Sequence, residues 1–385
     1  MAAPGEKDPR AAIAPGEKDP RAAGEPAAGA AVPVAPAPRA VDLPLDEDGA
    51  RRVVRDSLFW GVRGEARELP GAVVEARPGA LLGRGVRTVV AIGAFDGLHL
   101  GHRALLAAAA EDARRRGVPC VAVTFDPDPA EVLGEPAPSS RLLSCADRSR
   151  GLLALGADAV VRFRFDAALA ATGIEEFVRD RLCALAAPVS VHVGTNFSFG
   201  RGGEGTPSSL AELGRAYGFE VSSHDLVPYA GSPISATRVR GLLVAGSLDL
   251  ASDLLGRCHF VRGTVEHGRG EGRAFGFPTA NVVSDPTDAL PREGVYACYL
   301  VSGASAWPAA TNVGAPPTFS APKPAFMEAN LIGFSGNLYG RSVRVVFVRR
   351  LRDSRRFDST DELRRVVLGN IEWVQRNLGG SGLEV

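Results

Sequence analysis

Two histidines, His99 and His102, stand three residues apart in the stretch Thr88–Leu106, TVVAIGAFDGLHLGHRALL. At that spacing they share one face of a helix, where both can donate to a single anion. Gly93 and Gly97 precede them and Gly101 lies between them. The run Val89-Val90-Ala91-Ile92 is short and β-branched enough for a buried parallel strand, and from His99 the pattern turns helical. Strand, glycine turn and helix start together offer unpaired backbone N–H groups and the positive end of a helix dipole, a ready place for phosphate. A glycine turn alone is ordinary in any α/β domain. The weight falls on the fixed offsets of Phe95, Asp96, His99, Gly101 and His102.

A second constellation is GRGEGRAFGFPTAN, Gly268–Asn281, whose four glycines allow close backbone approach to a phosphate chain. Thr279 and Asn281 are two apart, on one side of an extended chain, and offer a hydroxyl and an amide oxygen to a hard cation such as Mg²⁺. Glu328, in AFMEANLIGF, is a lone carboxylate in an apolar strand: either a buried, hydrogen-bonded acid or a catalytic base. No GxxxxGK[ST] occurs, so phosphoryl transfer here would not use a Walker loop. In SPISATRVRGLLVAG, Ser235 or Thr237 can cap a helix that carries Arg238 and Arg240 in its first turns. Cations are unfavourable there unless an anion is present, and a bound triphosphate would resolve the misfit.

The elements that must position these groups follow from the pattern. From Arg87 strands and helices alternate, which indicates a mostly parallel sheet: VPCVAVTF (Val118–Phe125), DAVVRFRF and PVSVHVG (Pro188–Gly194) read as strands, and segments around Ser149–Leu155 and Ile174–Leu185 as helices. A second glycine-rich loop, Gly194–Thr206, follows the third of these strands and is either a ligand loop lining the same crevice as the first or a flexible connection. Near Gly256 the character changes to short strands between Gly/Pro turns, suggesting a β-barrel, and a helix from Ser359 closes the chain. Residues 1–50 repeat APGEKDPRAA and continue as an Ala/Pro-rich run, the composition of a disordered tail. Residues 51–84 are more apolar, a possible short helix or strand without a functional reading, followed by units at 85–256 and 257–385.

The chain of 385 residues has 44 basic and 44 acidic side chains, a balance that gives no reason to expect nucleic-acid or membrane partners. Its five cysteines are scattered without a CxxC, which favours reduced thiols over a disulfide framework or zinc site. With no membrane-length apolar run and no signal-peptide order, the expected location is the cytoplasm. Nothing indicates an oligomeric state.

GAFDGLHLGH resembles the HxGH signature of the adenylyltransferase superfamily. Together with VTFDPDP, VGTNFSFG, SATRVR, GRAFGFPTAN, GVYA, TNVGAPPTF, MEANLIGFSGNLYG and LRDSRRF, it resembles the bifunctional prokaryotic riboflavin kinase/FAD synthetase family from about Arg87 to Leu378. The resemblance implies an α/β fold: a Rossmann-like nucleotidyltransferase domain, then a six-stranded-type β-barrel kinase domain with a C-terminal helix. It implies that the barrel phosphorylates riboflavin to FMN with ATP, Glu328 accepting the hydroxyl proton and Thr279 and Asn281 holding Mg²⁺. The first domain would adenylylate FMN to FAD with release of pyrophosphate, and His99, His102 and Arg238 would stabilise phosphate charge. Substrate-binding roles are implied for Gly93, Phe95, Asp96, Gly101, Phe125, Asp128, Asn196, Ser235, Thr237, Gly272, Arg273, Phe277 and Arg352, with the Phe197/Phe199 loop as an aromatic neighbour. Asp128 stands where a His is common, Ala236 where a Ser is usual, Asn330 and Gly333 for a frequent His and Asp, and Ser354 for a usual Glu. Three alternatives are a paralogue with one active half, a flavin-binding regulatory protein, and an adenylyltransferase for another acceptor, against which the PTAN-bearing barrel argues.

Overall fold

The computed structural model describes residues 41–78, 80, 85–133, 140–267, 277–314 and 326–385. The duplicated decapeptides, Gly272 and Arg273 lie outside the described residues.

A hairpin of β1 (Glu65–Leu69) and β2 (Ala72–Ala76) leads into β3 (Thr88–Ile92), β4 (Cys120–Asp126), β5 (Ala159–Arg164), β6 (Pro188–Gly194) and β7 (Glu220–His224). These seven strands form one sheet in the order β1-β2-β5-β4-β3-β6-β7, parallel from β5 to β7. Every residue of β3 is buried, as both faces of a parallel sheet are covered, and its sequence is apolar without alternation for that reason. From β3 the chain runs to β4 and β5 on one side, then to β6 and β7 on the other. The topological switch point therefore lies between β3 and β6, and the two glycine-rich loops leave the carboxyl ends of adjacent strands.

The segment 51–84, which carried no functional reading, extends this sheet: β2 pairs antiparallel with β5. The polar EAREL of β1 suits an edge strand that is mostly exposed. Before it, a helix spans Glu47–Leu58, beginning inside the stretch expected to be tail. Asp46 caps it by accepting from the Gly49 N–H at 2.7 Å, and Ala50, Val54 and Leu58 are buried.

The second sheet contains β10 (His259–Glu266), β11 (Ala280–Ser284), β12 (Gly294–Ser302), β13 (Ser305–Gly314), β14 (Phe326–Leu331) and β15 (Ser342–Arg352), with β8 (Pro228–Tyr229) and β9 (Ser232–Pro233) forming a separate hairpin before it. The order β12-β15-β10-β11-β14-β13 closes through β12–β13 pairing, giving the expected six-stranded barrel. The two-residue β16 (Leu383–Glu384) adds to β13. The C-terminal helix Thr360–Leu378 starts where Ser359 accepts from the Glu362 N–H, but the Glu362 carboxylate returns to the Asp358 N–H and not to that of Ser359.

One apolar core runs through both halves. It joins Val54 and Leu58 of the first helix, Val89 of β3, Leu106, Phe260 of β10, Tyr299 of β12 and Val374 of the last helix. Ion pairs flank it: Arg262 with Asp147, and Arg141 with Asp285 and Asp288.

Candidate functional site

The turn after β3 bends sharply. Phe95, Gly97 and Leu98 have φ of 55°, 76° and 48°, in the left-handed region that a Phe or Leu rarely adopts. At Gly97 a Cβ would also lie 2.7 Å from Leu142 Cδ1. Surrounding donors hold the turn: Thr124 Oγ1 and an Arg148 Nη reach the Ala94 carbonyl at 2.9 and 3.0 Å, Arg257 reaches that of Gly97 at 3.0 Å, and Arg103 that of Leu98 at 3.3 Å. Gly93 donates its N–H to the Val123 carbonyl at 3.1 Å, so the turn starts in register with β4.

His99 is the N-cap of the helix Leu100–Arg116, its Nδ1 accepting from the His102 N–H at 3.3 Å. The two rings stack with centroids 3.6 Å apart, and the buried Phe95 ring stands edge-on to His102 at 5.3 Å. Gly101 makes this possible, since a Cβ there would already be 3.2 Å from the His99 ring. Burial pushes His99 down to about 4, and burial, His99 and Arg148 hold His102 well below the usual histidine range. Both rings are therefore neutral near pH 7. With Nδ1 accepting, His99 carries its proton on Nε2, as a hydrogen-bond donor and not a cation.

Asp96 is buried with its carboxylate engaged by protein: the Leu142 and Leu143 N–H groups at 2.9 and 3.1 Å, and Arg240 at 2.8 Å. Burial raises its pKa against the pull of Leu142, Arg148 and Arg240. Asp96 thus ties SATRVR to the β3 turn. Ser235 is the cap of the helix Ala236–Ala245, accepting from the Arg238 N–H at 3.1 Å, while the exposed Thr237 accepts from Arg240 at 3.3 Å. The two cations at this helix start have protein partners: Asp96 for Arg240, and for Arg238 the carbonyls of Tyr229, Ser232 and Pro233 at 2.9, 2.7 and 3.2 Å. Their position does not by itself require a bound anion, contrary to the sequence argument.

Phe125, at the end of β4, is buried against Phe163 and Phe165. Asp128 accepts from the Ala130 N–H at 3.1 Å and lies 3.7 Å from the buried Arg148, whose other contacts are the carbonyls of Ala94 and Phe125 and the Cys145 sulfur. The negative charge of Asp128 therefore has a local counter-charge. Asn196 is exposed in the second glycine-rich loop. Phe199 is buried against Phe177 and Phe197 stacks on it at 5.6 Å, so Phe199 belongs to the core and leaves only Phe197 as a candidate aromatic neighbour.

On the barrel, strand register gathers the polar residues. Asn281 pairs with Glu328, Glu328 with Asn312, Asn312 with Val295, and Val295 with Arg352. Directly opposed residues share a face, and their neighbours Val282, Met327, Ala329 and Val313 fill the interior, so this row lies on the outer wall. Glu328 is half-buried there and accepts from Thr279 Oγ1 at 2.8 Å. Asn312 Oδ1 accepts from Ser354 Oγ at 3.1 Å, and Asn330 donates to the Pro278 carbonyl at 2.9 Å, fixing the residue before Thr279. Gly333 has φ 70°, and a Cβ would meet the Gly380 carbonyl and Ser381 Cα at 2.9 Å, so a side chain there is excluded by the C-terminal segment. Phe277 is half-buried just before Thr279; Arg352 ends the row, its guanidinium 5.6 Å from the Phe357 ring centroid. Sequence reasoning did not single out Arg148, Arg257, Asn312 or Arg141. Arginines in helices and linkers and an asparagine in a strand carry no spacing signal of their own.

Among the described residues no helix is long and apolar enough to cross a membrane, and no cluster of three His, Cys, Asp or Glu side chains could hold a metal. Residues 84–238 match the family model of FAD synthetase and residues 255–378 that of riboflavin kinase. The chain is 37% identical over 277 residues to the bifunctional riboflavin kinase/FMN adenylyltransferase of Escherichia coli K12, covering 72% of this chain and 88% of that one. It is 36% identical over 285 residues to the Pseudomonas fluorescens enzyme, covering 74% and 90%. A solved Streptococcus pneumoniae structure, described as a macrolide-efflux protein, superposes with a TM-score of 0.69 at 30% identity, over 76% of this chain and 95% of that one. With two family models in succession and relatives matched over most of their length, the chain belongs to the bifunctional riboflavin kinase/FMN adenylyltransferase family.

Proposed function

We propose that the outer-wall row of the barrel phosphorylates riboflavin and that the β3 turn adenylylates the resulting FMN. The observation that carries this reading is the meeting of Thr279, Asn281 and Asn312 around Glu328, the one carboxylate in that strand. Glu328 accepts the proton of the ribityl 5′-hydroxyl as its oxygen attacks the γ-phosphorus of ATP, and ADP leaves. Thr279 and Asn281, both hard neutral oxygen donors, fit a Mg²⁺ whose charge is balanced mainly by nucleotide phosphate. When bound, the ion would neutralise phosphate charge, and Thr279 holds Glu328 in place through its existing hydrogen bond.

At the β3 turn an FMN phosphate oxygen attacks the α-phosphorus of ATP and pyrophosphate leaves, so no side-chain nucleophile is needed. His99 Nε2–H, the His102 ring and the helix start donate to the phosphates. Arg238 exchanges the hairpin carbonyls of 229–233 for phosphate oxygens. Gly93, Phe95, Gly101, Phe125, Asn196, Ser235 and Thr237 shape this pocket, and Phe277 and Arg352 border the other. Asp96 and Asp128 act through Arg240 and Arg148.

The test feeds riboflavin or FMN with Mg-ATP to the parent and to His102→Ala, separating flavins by chromatography. FAD formation should fall about a hundredfold while FMN formation persists. Equal loss of both activities would remove the two-site assignment.

A further inference from the structure

Two contacts from the riboflavin kinase half converge on the turn that carries the adenylyl-transfer histidines. The first is Arg257, a buried guanidinium at the entrance to the barrel. It donates to the Gly97 carbonyl at 3.0 Å and to its neighbour Cys258 at 2.8 Å. Its charge is met by aromatic faces: the Phe59 and Phe260 ring centroids are each 5.3 Å away, one from the N-terminal helix cap and one from β10. The second is a short strap at Arg141. Its N–H donates to the Thr287 carbonyl at 2.7 Å, its carbonyl accepts from the Ala289 N–H at 2.9 Å, and its guanidinium pairs with Asp288 at 2.8 Å and Asp285 at 3.0 Å. The next two N–H groups, of Leu142 and Leu143, are those that hold Asp96, and Asp96 holds Arg240.

Between these two grips lies a segment that does not hold its own shape. Three of the four residues Phe95, Asp96, Gly97 and Leu98 sit at positive φ, two of them not glycine, and such backbone persists only where surrounding contacts over-determine it. His99 follows immediately, and its ring direction is set by the helix cap that the turn delivers.

We propose that Arg257 and the Asp288–Arg141 strap are positioning residues for adenylyl transfer, so that the kinase half completes the FAD-forming site by shaping the Asp96–Leu98 turn. The proposal rests on the reading of His99 and His102 as phosphate donors. Arg257 touches no substrate; it acts through the Gly97 carbonyl, and the strap through Asp96.

The full-length chain carries the test. Arg257→Met keeps an unbranched side chain between Phe59 and Phe260 and removes the hydrogen bond to Gly97. Arg257→Lys restores one donor. Asp288→Asn weakens the strap while keeping its shape. FAD formation from supplied FMN and riboflavin phosphorylation are measured for each, with kcat and KM separated. In Arg257→Met and Asp288→Asn, kcat for FAD formation should fall about tenfold with KM little changed, as expected for misplaced donors. Riboflavin phosphorylation should persist, and Arg257→Lys should recover part of the loss. Full kcat for FAD formation in both variants would overturn the proposal, as would parallel loss of both activities with a lowered Tm. His102→Ala, run alongside, separates the two ideas: unchanged FAD formation there removes the underlying assignment, whereas a loss confined to His102→Ala removes only the positioning role.

Discussion

Thr279 Oγ1 donates to Glu328 Oε1 at 2.8 Å, joining the residue before β11 to the middle of β14 on the outer wall of the barrel. A carboxylate pointed by a neighbour's hydroxyl is prepared to take one proton from one direction. Glu328→Gln preserves the size and the hydrogen bond while removing the base. Riboflavin phosphorylation should drop by about a hundredfold or more. FAD formation from supplied FMN should stay near the parent rate in the same chromatographic assay.

Arg148 and Asp128 should behave as a coupled pair. Arg148→Met removes the hydrogen bonds to the Ala94 and Phe125 carbonyls, leaving Ala94 to Thr124 alone and Asp128 without its nearest counter-charge. FAD formation should fall by about tenfold, and Asp128→Asn added to it should restore part of that loss. A double-mutant cycle with no coupling would show that the 3.7 Å approach has no energetic consequence.

Acid should weaken the fold well before the carboxylates titrate. His99, pushed down to about 4, binds fewer protons folded than unfolded between that value and its ordinary 6.5, so its contribution is complete above 6.5 and is lost as pH falls through about 4. His259, pushed down to about 3 by burial, acts in the same direction. Asp96, raised by burial, works the other way and offsets part of the loss. From pH 7 to pH 5, His99 alone should cost about 2 kcal/mol. Denaturant melts of the parent and His99→Asn at the two pH values measure this, the variant losing less.

Placing an aspartate at position 333 should harm this chain. Gly333 has φ 70°, and the atoms a Cβ would strike are backbone. Gly333→Asp should lower stability by about 1–3 kcal/mol. A thermal melt no lower than the parent's would mean that the segment at Gly380 and Ser381 moves aside freely.

The sequence was most legible where one local rule decided the outcome. The apolar run of β3 and the strands after Gly256 announced a parallel sheet and a barrel because burial on both faces, or turns at short intervals, leaves a direct composition signal. The His99–His102 spacing announced that both rings share one side of the helix start, although not that they stack or that His99 caps the helix. Arg238 and Arg240 show where such reading stops. Their misfit at a helix start was visible, but the partners that relieve it lie in a hairpin and in an aspartate 144 residues away. Asp96 illustrates the reverse: its place in the motif suggested ligand contact, whereas its oxygens serve Leu142, Leu143 and Arg240. The helix at Glu47 was hidden by charges that face solvent around a narrow buried stripe.

The first described helix is fastened to the last residues of the chain. Arg51 bonds to the Glu384 carbonyl across 333 residues, and the Leu45 N–H to that of Asn377. Closing a loop of 333 residues slows folding and postpones it until the segment around Asn377 and Glu384 has been made. On the ribosome, the nascent adenylyltransferase half would emerge with the apolar stripe of Ala50, Val54 and Leu58 still lacking its barrel partners. That interval is when the chain most needs protection from aggregation.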